Sequence, residues 1–239
     1  MAVETQEAQV VGVRDLSPLV RELTLLPLER KVTFKAGQWI SLHLPVGQRP
    51  PLLRAYSMAE PQSASGHLVL AFDRVPRGLG SGYLFTLKTG DRVVLAGPYG
   101  KFVMPEPLTQ DLLLVARYTG IVPIRCMIKH LFAGTHSGGG CVPEVIQKSI
   151  TLVYGSPNAQ EFIYHSEFVE LASRHSTFRY IPLPLGDSQP VIEAIRPLMK
   201  ERRDLLPMMS GIKAFVHPLR TYFAELGFGR KEIRHETYD

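Results

Sequence analysis

Across the first hundred residues, apolar and polar positions alternate in short runs. They are Ala8–Val13, Val20–Pro27, Trp39–Leu44, His67–Phe72 and Arg92–Ala96, separated by turns that carry Pro and Gly. A period of two predicts strands with one buried face, and several such strands in succession predict a small antiparallel barrel or sandwich. Lys88-Thr89-Gly90-Asp91 reads as a turn entering the strand that ends at Gly97-Pro98.

After Pro105-Glu106-Pro107 the period changes. Asp111–Ala116 is almost continuously apolar, the pattern of a strand buried on both faces. A turn at Thr119-Gly120 follows, then a helix over Pro123–Phe132, with Pro123 suited to a first helical turn. Further buried strands are predicted at Ile150–Tyr154, Phe178–Pro182 and Leu206–Ser210. Helices are predicted at Glu161–Ser173, Gln189–Lys200 and Phe215–Leu226. Alternating strands and helices predict a doubly wound parallel sheet. The expected organisation is therefore an antiparallel β-barrel domain over residues 1–107 and an α/β domain over 108–239. His136–Gly140 reads as a Gly-rich surface excursion.

Composition narrows the class. The chain has 239 residues, 45% hydrophobic and 21% charged, which is globular, and no apolar run approaches the ~18 residues of a membrane span. The acidic segment Met1–Glu7 lacks a secretory pattern, so the cytoplasm is the expected location. Cys126 and Cys141 are too few for an iron–sulfur cluster and read as unpaired thiols. The eight histidines show no metal-ligand spacing. A net charge of +5 favours an acidic partner, while the absence of a concentrated basic tract argues against nucleic acid.

The candidate chemistry lies in three segments of the first half. Arg54-Ala55-Tyr56-Ser57 alternates along a strand end, so that Arg54 and Tyr56 share a face and Ser57 points oppositely. Gly78-Leu79-Gly80-Ser81-Gly82-Tyr83 supplies backbone N–H groups unobstructed by Cβ atoms, which suits an anion. Gly97-Pro98-Tyr99-Gly100 is a third glycine turn. Singly, these fit a surface ion pair, a core aromatic and hairpin turns; in this order they supply a cation, an aromatic plate, a hydroxyl and a glycine cradle for a flavin.

With that order of domains and motifs, the chain resembles the ferredoxin–NADP reductase superfamily. Within it, the chain is most similar to reductase components of ring-hydroxylating oxygenases without their ferredoxin domain. The resemblance implies that Arg54 neutralises a flavin phosphate, Tyr56 lies against the isoalloxazine and Ser57 hydrogen-bonds near its N5. Gly78, Gly80, Ser81 and Gly82 would meet the pyrophosphate, which favours FAD over FMN.

The nucleotide half departs from the family. Where the family has Gly-Gly-Thr-Gly-x-Ala-Pro, this chain has Arg117-Tyr118-Thr119-Gly120-Ile121-Val122-Pro123. Thr119, Gly120 and Pro123 remain. The bulky Arg117 and Tyr118 either fill the dinucleotide groove or, in the case of Arg117, offer a cation to phosphate, with obstruction the expected outcome. The family's Cys-Gly-Pro-Pro stands here as Ser210-Gly211-Ile212-Lys213, and Tyr238 either corresponds to a terminal aromatic that screens the flavin in some relatives or is a surface residue at a frayed end. Ser156 occupies the ribose-recognition position without an acidic side chain. The Ser-Arg pair that grips a 2′-phosphate is replaced by Leu183-Pro184-Leu185, so neither NAD nor NADP is selected.

The function implied by the resemblance is an FAD-dependent reductase that takes electrons from NAD(P)H and forwards them to a separate acidic protein, such as a ferredoxin, flavodoxin or oxygenase component. Ser57, Ser210 and Tyr238 are its expected catalytic residues. An alternative is a flavoprotein relay subunit that has lost nicotinamide binding. A third reading is a flavin-free interaction module.

Overall fold

The computed structural model describes residues 4–47, 50–132, 148–201 and 204–238. Cys141 and the Gly-rich excursion at His136–Gly140 lie outside them. The chain divides into two compact units, Met1–Met104 with Arg125–His130, and Pro105–Ile124 with Leu131–Asp239.

The first unit is built on six strands: β1 (Thr5–Asp15), β2 (Val20–Pro27), β3 (Trp39–Leu44), β4 (Leu52–Ser57), β5 (Leu68–Asp73) and β6 (Arg92–Tyr99). They form an antiparallel sheet in the order β4-β3-β6-β1-β2-β5. An antiparallel bridge between Met58 and Leu70 joins the two edges, so the sheet closes on itself and exposes no free edge there. Alternation fills the interior, as predicted: Leu23 and Leu25 of β2 and Ile40, Leu42 and Leu44 of β3 are fully buried. The strand expected to end at Gly97-Pro98 runs on to Tyr99, because Tyr99 pairs with Trp39. Gly100 makes room for that pairing: it has a φ of +103°, and a Cβ there would stand 2.8 Å from the Trp39 indole.

One short helix, α1 (Leu79–Leu84), interrupts the barrel between β5 and β6. The segment expected as a loop is helical, since Gly82 N–H donates to the Gly78 carbonyl at 2.8 Å. The segment Arg125–His130 comes from α2 (Ile121–Phe132). In it Arg125, 2% exposed, donates to the Ala59 carbonyl at 2.6 Å and pairs with Glu60 at 2.8 Å, while Lys129 reaches Glu60 at 2.7 Å. Glu60 therefore balances two cations.

The second unit carries β7 (Asp111–Arg117), β8 (Ile150–Ser156), β9 (Phe178–Pro184), β10 (Leu205–Ile212) and β11 (Arg234–Tyr238). All pair in parallel, in the order β11-β10-β7-β8-β9. The order reverses at β7, which lies between β10 and β8, so the switch point of the sheet falls at the carboxyl ends of β7 and β10. Continuous apolar runs fit the central strands β7, β8 and β10, which are buried on both faces. β9, predicted as buried, is the last strand of the sheet among the described residues and is only partly buried. On one face Val115, Val153 and Met209 pack against α4 (Ser188–Glu201) and α5 (Lys213–Glu225) through Val191, Ile195, Phe215 and Leu219. On the other, Phe168 of α3 (His165–Arg174) meets the rings of Tyr154 and Tyr180. α3 starts four residues later than predicted, since Ala159–Glu161 is a separate 3-10 turn capped by the Asn158 side chain.

Candidate functional sites

In the first unit the pleat of β4 places Arg54 and Ala55 at the surface, leaves Tyr56 half-buried and buries Ser57 to 6% exposure. Burial along β4 rises toward its carboxyl end and does not alternate, since Arg54 and Ala55, on opposite faces of the pleat, are both exposed; Ser57 pairs with Trp39 of β3. Tyr56 packs against Phe72 with tilted rings, centroids 5.4 Å apart, and Phe72 meets Phe85 edge-on. Burial pushes the Tyr56 phenol up to about 12; the neighbouring Arg54 pulls the other way and Asp73 adds to the rise. Tyr56 thus presents a neutral aromatic surface at every physiological pH.

The amino end of α1 meets this face. A Cβ on Gly80 would stand 3.3 Å from Arg54 Cγ and 3.2 Å from Leu44 Cδ1, so the absence of a side chain brings backbone and guanidinium stem together. The first-turn amides of Leu79, Gly80 and Ser81 have no acceptor within the helix. The sequence expectation needs correction. The Gly82 amide donates to the Gly78 carbonyl and the Gly78 amide to the Val75 carbonyl at 2.9 Å, so both already have acceptors; the buried Ser81 hydroxyl accepts from Val75 N–H at 3.1 Å. Around Gly82 a Cβ would meet nothing within 4 Å. The Arg54 cation, the first-turn amides of α1, the neutral Tyr56 ring and the side-chain-free Gly80 are groups whose chemistry fits a flavin diphosphate and its ring.

The turn after β7 is a 3-10 helix over Tyr118–Gly120, not a simple turn, and it feeds α2 at Ile121, which makes Pro123 the third helical residue. Tyr118 adopts φ +51° and its hydroxyl donates to Glu161 Oε2 at 3.0 Å. Arg117 turns toward Asp187, beyond β9, with Nε 2.6 Å from Oδ1. Both bulky side chains are thereby engaged by carboxylates that the sequence reading did not single out. The only advance signals were the Leu185-Gly186-Asp187 turn, which holds Leu185 at φ +59°, and the acidic Glu161 after the Asn158 cap.

Two glycines here serve the protein's own packing. A Cβ on Gly120 would overlap the Ser210 carbonyl, and one on Gly155 would overlap the Gly186 carbonyl. Gly120 therefore brings the turn against β10, and not only a dinucleotide against the helix. Ser156 is fully buried and donates to the Asn158 carbonyl at 2.8 Å, which withdraws it from ribose recognition. Thr119 remains half-exposed at the turn. At the end of β10 Ser210 is fully buried, its hydroxyl 2.9 Å from the Tyr238 hydroxyl, and Gly211 packs beside Phe215 and the Arg117 Cβ. The topology of this turn, at the switch point before α2, is that of a nucleotide site, without the run of bare glycines. Cys126 is fully buried and its thiol is pushed up to about 12, chiefly by burial, so it is inert.

Residues 7–104 match the family model of the oxidoreductase FAD-binding domain, and residues 114–196 that of the oxidoreductase NAD-binding domain. The chain is 32% identical, over an alignment of 251 residues, to ferredoxin–NADP reductase B of Sorangium cellulosum, which covers 99% of this chain and 98% of that protein. It is 33% identical over 181 residues to the reductase component of phenol 2-monooxygenase from Pseudomonas sp. (strain CF600), which covers 75% of this chain; the chain spans 47% of that relative's length. Among solved structures, a ferredoxin-NADP+ reductase from Plasmodium falciparum superposes with a TM-score of 0.81 at 18% identity, covering 98% of this chain and 96% of that one. The Amycolatopsis cytochrome P450 reductase superposes with a TM-score of 0.79 at 22% identity, covering 99% and 71%. At these identities the structures speak to fold alone.

Proposed function

Since the chain belongs to the ferredoxin–NADP reductase family of FAD- and NAD-binding oxidoreductases, we propose that it oxidises NAD(P)H and delivers the electrons to a separate acidic redox protein, a ferredoxin, flavodoxin or oxygenase component. Each NAD(P)H consumed yields two electrons and one proton, so two equivalents of a one-electron acceptor are reduced per nucleotide. Bound FAD supplies the conversion between two-electron and one-electron chemistry.

The protein's own groups do the holding and orienting. Arg54 places a permanent cation at the diphosphate, and the amides of Leu79, Gly80 and Ser81 donate to it. Tyr56 lays a neutral ring against the flavin, and Ser57 offers a hydroxyl from the carboxyl end of β4. In the second unit Thr119, Gly120 and Pro123 shape the start of α2 for the nucleotide. Fully buried Ser210 acts as a positioning residue: its hydroxyl fixes that of Tyr238. The +5 charge of the chain supports an acidic electron acceptor.

The observation that carries this reading is the convergence of Arg54, Tyr56 and the side-chain-free Gly80 on one rim of the barrel. The test is anaerobic: the FAD-loaded protein is mixed with NADH or NADPH while flavin absorbance near its visible maximum is followed. Bleaching by at least one donor is expected. Flavin that stays oxidised with both removes the nucleotide from the reaction and leaves the relay role.

A further inference from the structure

We propose that Asp187 is an internal stand-in for nucleotide phosphate: Arg117 binds the dinucleotide by exchanging this carboxylate for a phosphate oxygen. The inference rests on the NAD(P)H reading above and assigns the anion-binding residue of that site.

Three observations converge. First, Arg117 ends β7 at the switch point of the sheet, its Cβ 3.6 Å from where a Cβ on Gly211 would lie, and the helix α2 begins four residues later. An anionic ligand of a doubly wound sheet sits there, at the carboxyl ends of the strands and the start of the following helix. Second, the guanidinium is not left facing that position; it reaches past β8 to Asp187, in the turn beyond β9. The pair is lopsided: the Arg117 side chain is 20% exposed and that of Asp187 is 72% exposed. Third, Arg117 Nε is buried and has no aligned hydrogen-bond acceptor, even with the carboxylate 2.6 Å away. The contact neutralises charge without satisfying the donor.

That combination defines an exchangeable anion. A half-buried guanidinium needs a counter-charge, and a phosphate oxygen meets its planar fork better than a misaligned carboxylate. Asp187, mostly in water, loses little on release. The cation that replaces the usual glycine therefore belongs to binding and not to obstruction. Asp187 sets a threshold that a ligand must outcompete.

Calorimetry with ADP-ribose on the FAD-loaded full-length protein tests this in four forms: wild type, Asp187→Asn, Arg117→Ala and the double variant. Asp187→Asn, at an exposed position, is expected to tighten binding about threefold or more, and Arg117→Ala to weaken it about tenfold. The double variant is expected to bind no more tightly than Arg117→Ala, because Asp187 acts only through the guanidinium. Binding by Arg117→Ala as tight as wild type, or tighter, makes the side chain an obstruction and overturns the proposal. So does a gain from Asp187→Asn that persists without Arg117, which would be general charge repulsion. Absence of ADP-ribose binding in all four overturns the exchange. The NAD(P)H reading itself fails separately, when neither donor bleaches the flavin.

Discussion

The hydroxyls of Ser210 and Tyr238 lie 2.9 Å apart, joining the end of β10 to the edge strand β11 beside it. Ser210 is fully buried, so its hydroxyl depends on this partner in place of water. Tyr238→Phe withdraws the partner and is expected to cost about 1–3 kcal/mol, read by urea unfolding. Ser210→Ala in the Tyr238→Phe background should cost much less than in wild type, because the unpaired group is then gone. Additive losses would show that the two hydroxyls do not work as a pair.

Glu60 supports a pH-dependent prediction. Its burial disfavours ionisation, but the charges of Arg125 and Lys129 outweigh that effect and hold the carboxyl below its usual 4.5. A folded-state value below the unfolded one means that ionised Glu60 adds stability in full at pH above the unfolded value of about 4.5, and that this contribution fades as pH falls through the folded value. Glu60→Gln leaves Arg125, 2% exposed, without its carboxylate and should cost on the order of 3 kcal/mol at pH 7. Denaturant titrations of both proteins between pH 7 and 3 should converge at the acid end. A gap that stays constant with pH would place the cost in packing and not in charge.

The barrel was legible because its strands have one wet face: alternation at Trp39–Leu44 and Val20–Pro27 gave those strands to the residue. The central strands of the second unit were equally clear from their unbroken apolar runs. β9 was misjudged as buried because an apolar run does not reveal which strand will be last in the sheet. The glycine-rich segment was visible as a local motif, but its helical turn was not, nor that the Gly78 and Gly82 amides find acceptors within the chain. The pairing of Arg117 and Tyr118 with their carboxylates was not readable. Glu161 and Asp187 lie 43 and 70 residues away in sequence, and only the β7-β8-β9 register brings them to the same sheet edge.

Arg54 carries the sharpest test of the flavin site. Its side chain is exposed and its guanidinium donates to the neighbouring Leu53 carbonyl, so its removal should leave the fold of the barrel unchanged. Losing one charge-assisted contact to a diphosphate costs about 1.5–3 kcal/mol. Arg54→Ala should therefore weaken FAD binding ~10- to 100-fold, measured by the recovery of flavin fluorescence on dilution. Wild-type retention of FAD would assign the diphosphate to another part of the barrel.

Two glycine-to-alanine changes separate space kept for a ligand from space taken by the protein. At Gly82 a Cβ meets nothing of the chain within 4 Å, and the position is helical, so alanine should raise the stability of the FAD-free protein by about 0.5–1 kcal/mol. If that vacant volume belongs to the flavin, the same change should lower FAD affinity, giving opposite signs in thermal unfolding without FAD and in FAD titration. At Gly120 a Cβ would overlap the Ser210 carbonyl, a backbone atom that cannot swing aside. Gly120→Ala should therefore destabilise the second unit by more than about 3 kcal/mol, whether or not nucleotide is present. A Gly120→Ala protein that unfolds like wild type but no longer binds ADP-ribose would mean that the glycine serves the ligand, and that the turn can move away from β10.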